Sequence, residues 1–181
     1  MKLKSPYKIL GAVDVRGFDQ FLGPHKYWPE NDLRSQLFDT HEHTESILFR
    51  WTPRDRWPKL TVEEHPAWSD PVVAPLWKAV AYLTGLPEVP PLNFMLAKLK
   101  PHGIIHGHFD QHKFFSWAHR IHVPVYVPDG VIFHCADQIV PCVRGQVFEL
   151  SNKQWHEVEN PTDEARYHIV MDFAPCTPRQ S

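Results

Sequence analysis

From about residue 91 onward the chain breaks into short extended runs with no helical stretch between them, and this narrows the fold more than any other feature. Residues 120–127 alternate cleanly, with Ile121, Val123, Val125 and Val127 on one face and Arg120, His122, Pro124 and Tyr126 on the other. That is the period of two expected of strand side chains. Residues 93–100 alternate in part, and 131–133, 146–150 and 166–173 are further runs. Asp129-Gly130 is a hairpin signal between two of them. Roughly six to eight short strands within about 80 residues predict a mainly β chain with flanking helices, closed as a jelly-roll double sheet.

The first half reads differently. Residues 7–15 and 46–51 are strand candidates, 18–22 a short helix, and 31–36 a polar stretch. A Pro-rich turn covers 52–58. Asp70 as N-cap, with Pro71 at the first helical position, predicts an amphipathic helix over 72–83. Gly85 stops it, and Pro87, Pro90 and Pro91 forbid continuation. The organisation expected is one domain over 1–181. Its mixed α/β part at 1–90 would pack on one face of a core at 91–175 that carries the chemistry.

Composition agrees with a substantial buried core. Of 181 residues, 43% are apolar, and seven Trp and eleven Phe have no place in a disordered chain. Eighteen Pro against eight Gly favour short strands and rigid loops over a helical bundle. A net charge of −2 with scattered basic residues leaves no electrostatic footprint for nucleic acid or an anionic membrane. Cys135, Cys142 and Cys176 are too few and too irregular for a disulfide framework or zinc knuckle. Residues 1–15 lack the apolar run of a signal peptide, and no stretch approaches the roughly 20 apolar residues of a membrane span. The expected location is reducing and cytoplasmic.

Within the β-rich half, His108-Phe109-Asp110 on an extended segment puts both ligating side chains on one face. With His156 downstream they make the two-histidine, one-carboxylate set of non-haem Fe(II) oxygenases. Thirteen histidines make neighbouring pairs common, so His102, His112 and His119 read as ordinary structural residues. His106, two before His108 on the same face, competes as a ligand. His41-Glu42-His43 lacks a carboxylate on the same face and is unassigned. On the last strand Arg166, His168, Val170 and Asp172 share one face, and Tyr167, Ile169, Met171 and Phe173 the other. The pattern leaves open which face is inward. An inward Arg166 demands an anion; an outward one would pair with Asp163 or Glu164. Arg120 and His122 read either as a solvated face or as groups near a bound acid and the metal.

Taken in order, these blocks resemble the aspartyl/asparaginyl β-hydroxylase family of 2-oxoglutarate-dependent dioxygenases. The resemblance runs over about 99–173. It includes His108-Phe109-Asp110, Arg120-Ile121-His122-Val123-Pro124-Val125, residues 145–152, His156-Glu157-Val158-Glu159-Asn160 and residues 166–173. Residues 41–51 are also similar to an upstream block of bacterial and phage members. The resemblance implies a double-stranded β-helix, cupin-like fold, with Fe(II) held by His108, Asp110 and His156. It implies 2-oxoglutarate bound through Arg166, with Arg120 and His122 beside it. Vertebrate members lack a carboxylate where this chain has Asp110, so its metal set looks closer to bacterial free-amino-acid hydroxylases.

The function expected is hydroxylation of an unactivated C–H bond of an amino acid or a peptide or protein side chain, consuming dioxygen and releasing succinate and CO2. Two alternatives stand beside it: a cupin-like metalloprotein with non-oxygenase chemistry, and a non-catalytic jelly-roll binding module. Arg50, Trp51, Arg54 and Trp57 are candidates for the entrance to the site.

Overall fold

The computed structural model describes residues 3–29, 42–55, 58–86 and 88–175. Residues 31–36, His41, Trp57, Pro87 and Cys176 therefore lie outside the described residues. Eleven strands, two α-helices and two 3₁₀ turns make up the described chain. In order the strands are β1 (Tyr7–Ala12), β2 (Thr44–Trp51), β3 (Glu63–Glu64), β4 (Asn93–Leu99), β5 (Ile104–His108), β6 (His119–Tyr126), β7 (Ile132–Cys135), β8 (Gln138–Ile139), β9 (Gln146–Leu150), β10 (His156–Glu159) and β11 (Arg166–Phe173). Helix α1 spans Val73–Thr84 and α2 Lys113–Trp117. The described residues are mainly β, two antiparallel sheets of a jelly roll with flanking helices.

All strand pairs are antiparallel and fall into two sheets. The larger has the order β1-β9-β6-β11-β4-β2-β3, the smaller β5-β10-β7-β8. Strands from the first ninety residues stand inside the larger sheet: β1 pairs with β9, and β2 with β4. The helical segments lie over its outer face. Phe18 and Phe21 of the first 3₁₀ turn and Val73, Leu76, Trp77 and Val80 of α1 share one core with Phe94, Leu96, Ile121, Val123, Ile169 and Met171. A second core fills the space between the sheets, from Leu99, Phe133, Phe148, Leu150 and Val158.

Helix α1 stops at Gly85 as its sequence directs, but Val72 and not Asp70 is its N-cap, with no side-chain cap, because Asp70 and Pro71 form a turn ahead of the helix. Asp70 Oδ1 accepts from Val72 N at 3.2 Å, and Gly85 ends the helix at φ 67. That left-handed conformation suits glycine because it has no Cβ to clash.

The Asp129-Gly130 hairpin expected from the sequence does not form. β6 belongs to the larger sheet and β7 to the smaller, so the turn at Asp129-Gly130 carries the chain from one sheet to the other. A two-residue turn signal specifies a reversal, not which partner the next strand takes.

No helix among the described residues is long and apolar enough to cross a membrane.

Candidate metal and co-substrate site

Strands β5 and β10 pair so that His108 lies directly across from His156. Their rings are 4.3 Å apart between centroids. Asp110 follows the end of β5 and is held by its backbone N–H, which donates to Asn152 O at 3.1 Å. One ligand atom from each of His108, Asp110 and His156 falls within 4.8 Å of the other two. Phe109 between them is half exposed.

Each of the two histidine rings is oriented by a backbone carbonyl two residues before it. His108 Nδ1 lies 2.8 Å from the carbonyl of His106, and His156 Nδ1 lies 3.0 Å from that of Gln154. A carbonyl only accepts, so both Nδ1 atoms carry a proton, and Nε2 is the ring atom of each that a cation would take. Burial, against the opposing pull of Asp110, also holds His156 below its ordinary range and so in the neutral form a metal needs.

His106 does not join them. The sequence puts it on the same face as His108, but the β5–β10 ladder slips between His156 and Val158. Two steps on β10 span three on β5, from His108 to Ile105. This bulge breaks the alternation. The His106 side chain is 54% exposed, with Nε2 3.7 Å from Glu42. Gly107 at the bulge lies against the Trp155 indole, where a Cβ would meet ring atoms at 2.3 Å.

On the larger sheet both faces of β11 are buried. Ile169 and Met171 enter the core under the helices. Arg166, His168 and Val170 face the space between the sheets, where they line a cavity of about 70 Å³ with His108, Arg120, His122, Phe133 and His156. Arg166 is thus inward, only 3% exposed. The outward pairing does not occur, since Asp163 contacts His102 and Glu164 takes the hydroxyl of Tyr126. Its contacts are His168 Nδ1 at 2.7 Å and the Cys142 thiol. Burial pulls the Arg166 guanidinium down to about 10, which still leaves it charged at neutral pH. No carboxylate lies within ion-pair distance of it among the described residues.

Arg120 and His122 are likewise buried, at 8% and 9% exposure, so the solvated-face alternative does not hold. Arg120 donates to both oxygens of Asp172, at 2.8 and 2.9 Å, and to Asp110 Oδ2 at 2.8 Å. Burial opposes its charge, but the two carboxylates more than offset this and raise its pKa. Asp172, fully buried, also accepts from Asn93 at 2.8 Å. His122 stacks on Phe148 with ring centroids 5.2 Å apart, and neither ring nitrogen has a partner among the described residues. Burial, then Arg120, Arg166 and His156, hold it well below the ordinary histidine range.

Three residues of this region have no role in the sequence reading: Thr44 in the cavity wall, Asp172 behind Arg120, and His168 beside Arg166. The alternation on β11 already aligns the last two with Arg166, which is the signal that points to them. Of the entrance candidates, Arg50 bonds Pro91 O at 2.8 Å and lies over Trp68, bracing β2. Arg54 lies over Trp51 and, at 4.1 Å, over Phe115, the ring that Arg120 also covers at 4.2 Å. His102, His112 and His119 have structural partners in Asp163, Phe114 N and Glu149.

Among solved structures, the chain is similar to an oxidoreductase of the 2OG-Fe(II) oxygenase family from Burkholderia pseudomallei. The two are 12% identical with a TM-score of 0.50, over 73% of this chain and 68% of that one. It is also similar to EvdMO1, 18% identical with a TM-score of 0.50, over 95% of this chain and 48% of the other. At such identities these likenesses speak to the fold. No curated protein sequence matches significantly. The family model for aspartyl/asparaginyl β-hydroxylase matches residues 36–175. That span is more than three quarters of the chain and takes in His108, Asp110, Arg120, His156 and Arg166. The chain therefore belongs to the aspartyl/asparaginyl β-hydroxylase family.

Proposed function

We propose that the protein is an Fe(II)- and 2-oxoglutarate-dependent hydroxylase acting on an unactivated C–H bond of an amino acid or of a peptide or protein side chain, with release of succinate and CO2. One observation carries this reading: a buried arginine, with no acid partner among the described residues, lines the same cavity as both histidines of a two-histidine, one-carboxylate set. A buried cation without a counter-charge is costly, so the cavity is built to receive an anion. Two imidazole Nε2 atoms and one carboxylate suit Fe(II) with open positions better than zinc or copper.

His108, Asp110 and His156 would hold the iron, and Arg166 the distal carboxylate of 2-oxoglutarate. Iron with its co-substrate would supply the activation of dioxygen. Arg120 would act through Asp110: with two carboxylates on its fork it holds that ligand's carboxylate in place. It has N–H groups left over for the co-substrate, as His122 has its ring nitrogens. Phe133, Val158 and Val170 keep the cavity dry, which strengthens each of these charge interactions. The free Cys135 and Cys142 thiols fit a reducing, cytoplasmic setting.

The test is Fe(II)-dependent conversion of 2-oxoglutarate to succinate by the purified protein, stimulated by pools of amino acids or peptides. Asp110→Ala and Arg166→Met should each lower it at least tenfold. An iron-loaded protein that never binds 2-oxoglutarate would refute the assignment and leave the cupin-like metalloprotein. Unchanged biological activity of Asp110→Ala would favour the binding module.

A further inference from the structure

The Arg166–His168 contact fixes a proton that the proposed function does not yet use. Arg166 Nη2 lies 2.7 Å from His168 Nδ1. A guanidinium has donors and no acceptor, so Nδ1 must accept, and the neutral imidazole carries its hydrogen on Nε2. A second ring proton would have to sit on Nδ1, facing the guanidinium. Burial, followed by Arg166 and His122, accordingly holds His168 well below the ordinary histidine range.

His168 is fully buried, and its Nε2 has no partner among the described residues. Its ring is fixed by Phe133 and Phe148, 6.5 and 6.4 Å away between centroids. Arg166 Nε is likewise buried without a partner. One cavity wall therefore presents two donors, from residues two apart on the same face of β11. A buried donor left unmade costs the full desolvation of the group. The cavity has room for roughly five to seven water-sized groups, enough for one end of a short dicarboxylate.

We infer that His168 is a co-substrate contact: its Nε2–H donates to the distal carboxylate that Arg166 holds, so that the arginine and the histidine form one clamp. This rests on the co-substrate reading above and adds a residue that the resemblance does not supply. The clamp also selects among 2-oxo acids, because only one ending in a carboxylate satisfies both donors.

The test compares two ligands on the iron-loaded protein kept free of oxygen, by calorimetry: 2-oxoglutarate, and 2-oxopentanoate, which lacks the distal carboxylate. In His168→Asn the amide oxygen can still accept from Arg166, but nothing reaches the Nε2 position. Its dissociation constant for 2-oxoglutarate should rise roughly 10- to 100-fold, the range for a hydrogen bond to a charged group. That for 2-oxopentanoate should stay within about twofold. His168→Gln puts an amide near the Nε2 position and should recover most of the loss. ¹⁵N NMR of the metal-free protein should find the His168 proton on Nε2. Wild-type-like binding by His168→Asn, equal losses for both ligands, or a proton on Nδ1 would each overturn the clamp while leaving the co-substrate reading intact. A wild-type protein that does not bind 2-oxoglutarate would remove both.

Discussion

Arg120 and Arg166 are both more than nine-tenths buried, yet one faces two carboxylates and the other none among the described residues. The difference assigns them different tasks. Arg120 belongs to a row running from Asn93 through Asp172 and Arg120 to Asp110, in which each polar group satisfies the next. Removing the middle of such a row leaves a buried charge short of its partner. Asp172→Asn should therefore cost about 3–5 kcal/mol in chemical denaturation. Because Arg120, which braces Asp110, loses its own anchor, affinity for Fe(II) or Mn(II) should also fall, by about 10- to 100-fold. Metal titration of the folded variant checks this. Loss of stability with metal affinity unchanged would show that Arg120 orients nothing.

At the scale of elements, the site depends on an irregularity. The bulge in β5 removes His106 from the cavity, sets His108 across from His156, and brings Gly107 under Trp155. Gly107→Ala forces the indole away at an overpacking cost of about 1–3 kcal/mol. Since Trp155 immediately precedes His156, metal affinity should drop severalfold. Trimming the ring in Gly107→Ala/Trp155→Ala should restore part of that loss, and a titration of both variants reads it directly. A bulge leaves little trace in one sequence, which is why period two alone puts His106 and His108 on one face. The regular elements were far more legible. Asp70, Pro71 and Gly85 bracket α1, and the alternation at 120–127 and 166–173 matches β6 and β11 closely. Alternation could not say which face of β11 was inward, because α1 covers one side and the smaller sheet the other, so both are buried. It was silent too on Asp129-Gly130, where the destination of the chain is decided by sheet-to-sheet packing and not by the turn.

Across the whole molecule, the placing of β1 and β2 inside the larger sheet ties residues 1–90 to 91–175 through main-chain hydrogen bonds. We propose that the two parts unfold as one unit: a single urea transition should be seen by tryptophan fluorescence and by far-ultraviolet circular dichroism alike. A fragment of 91–175 would expose the edges of β4 and β9 and should not fold alone. The same compactness gives stability a definite pH dependence. His122 and His168 are kept neutral in the folded state, chiefly by burial and then by the arginines beside them. In the unfolded chain each takes up a proton near pH 6.5. Below that value the unfolded state binds more protons than the folded one, so stability falls as pH falls. The slope is about 1.4 kcal/mol per pH unit for each histidine, or about 3 for the pair. Asp172, whose carboxyl is depressed because Arg120 and Asn93 outweigh its burial, acts in the same direction only below about pH 4. Urea titrations of the metal-free protein between pH 7.5 and 5 should therefore show stability level above about 6.5, then falling with an uptake of at least two protons on unfolding. A flat profile through that window would mean that these imidazoles are protonated inside the fold, and the cavity would then be cationic at more points than Arg166.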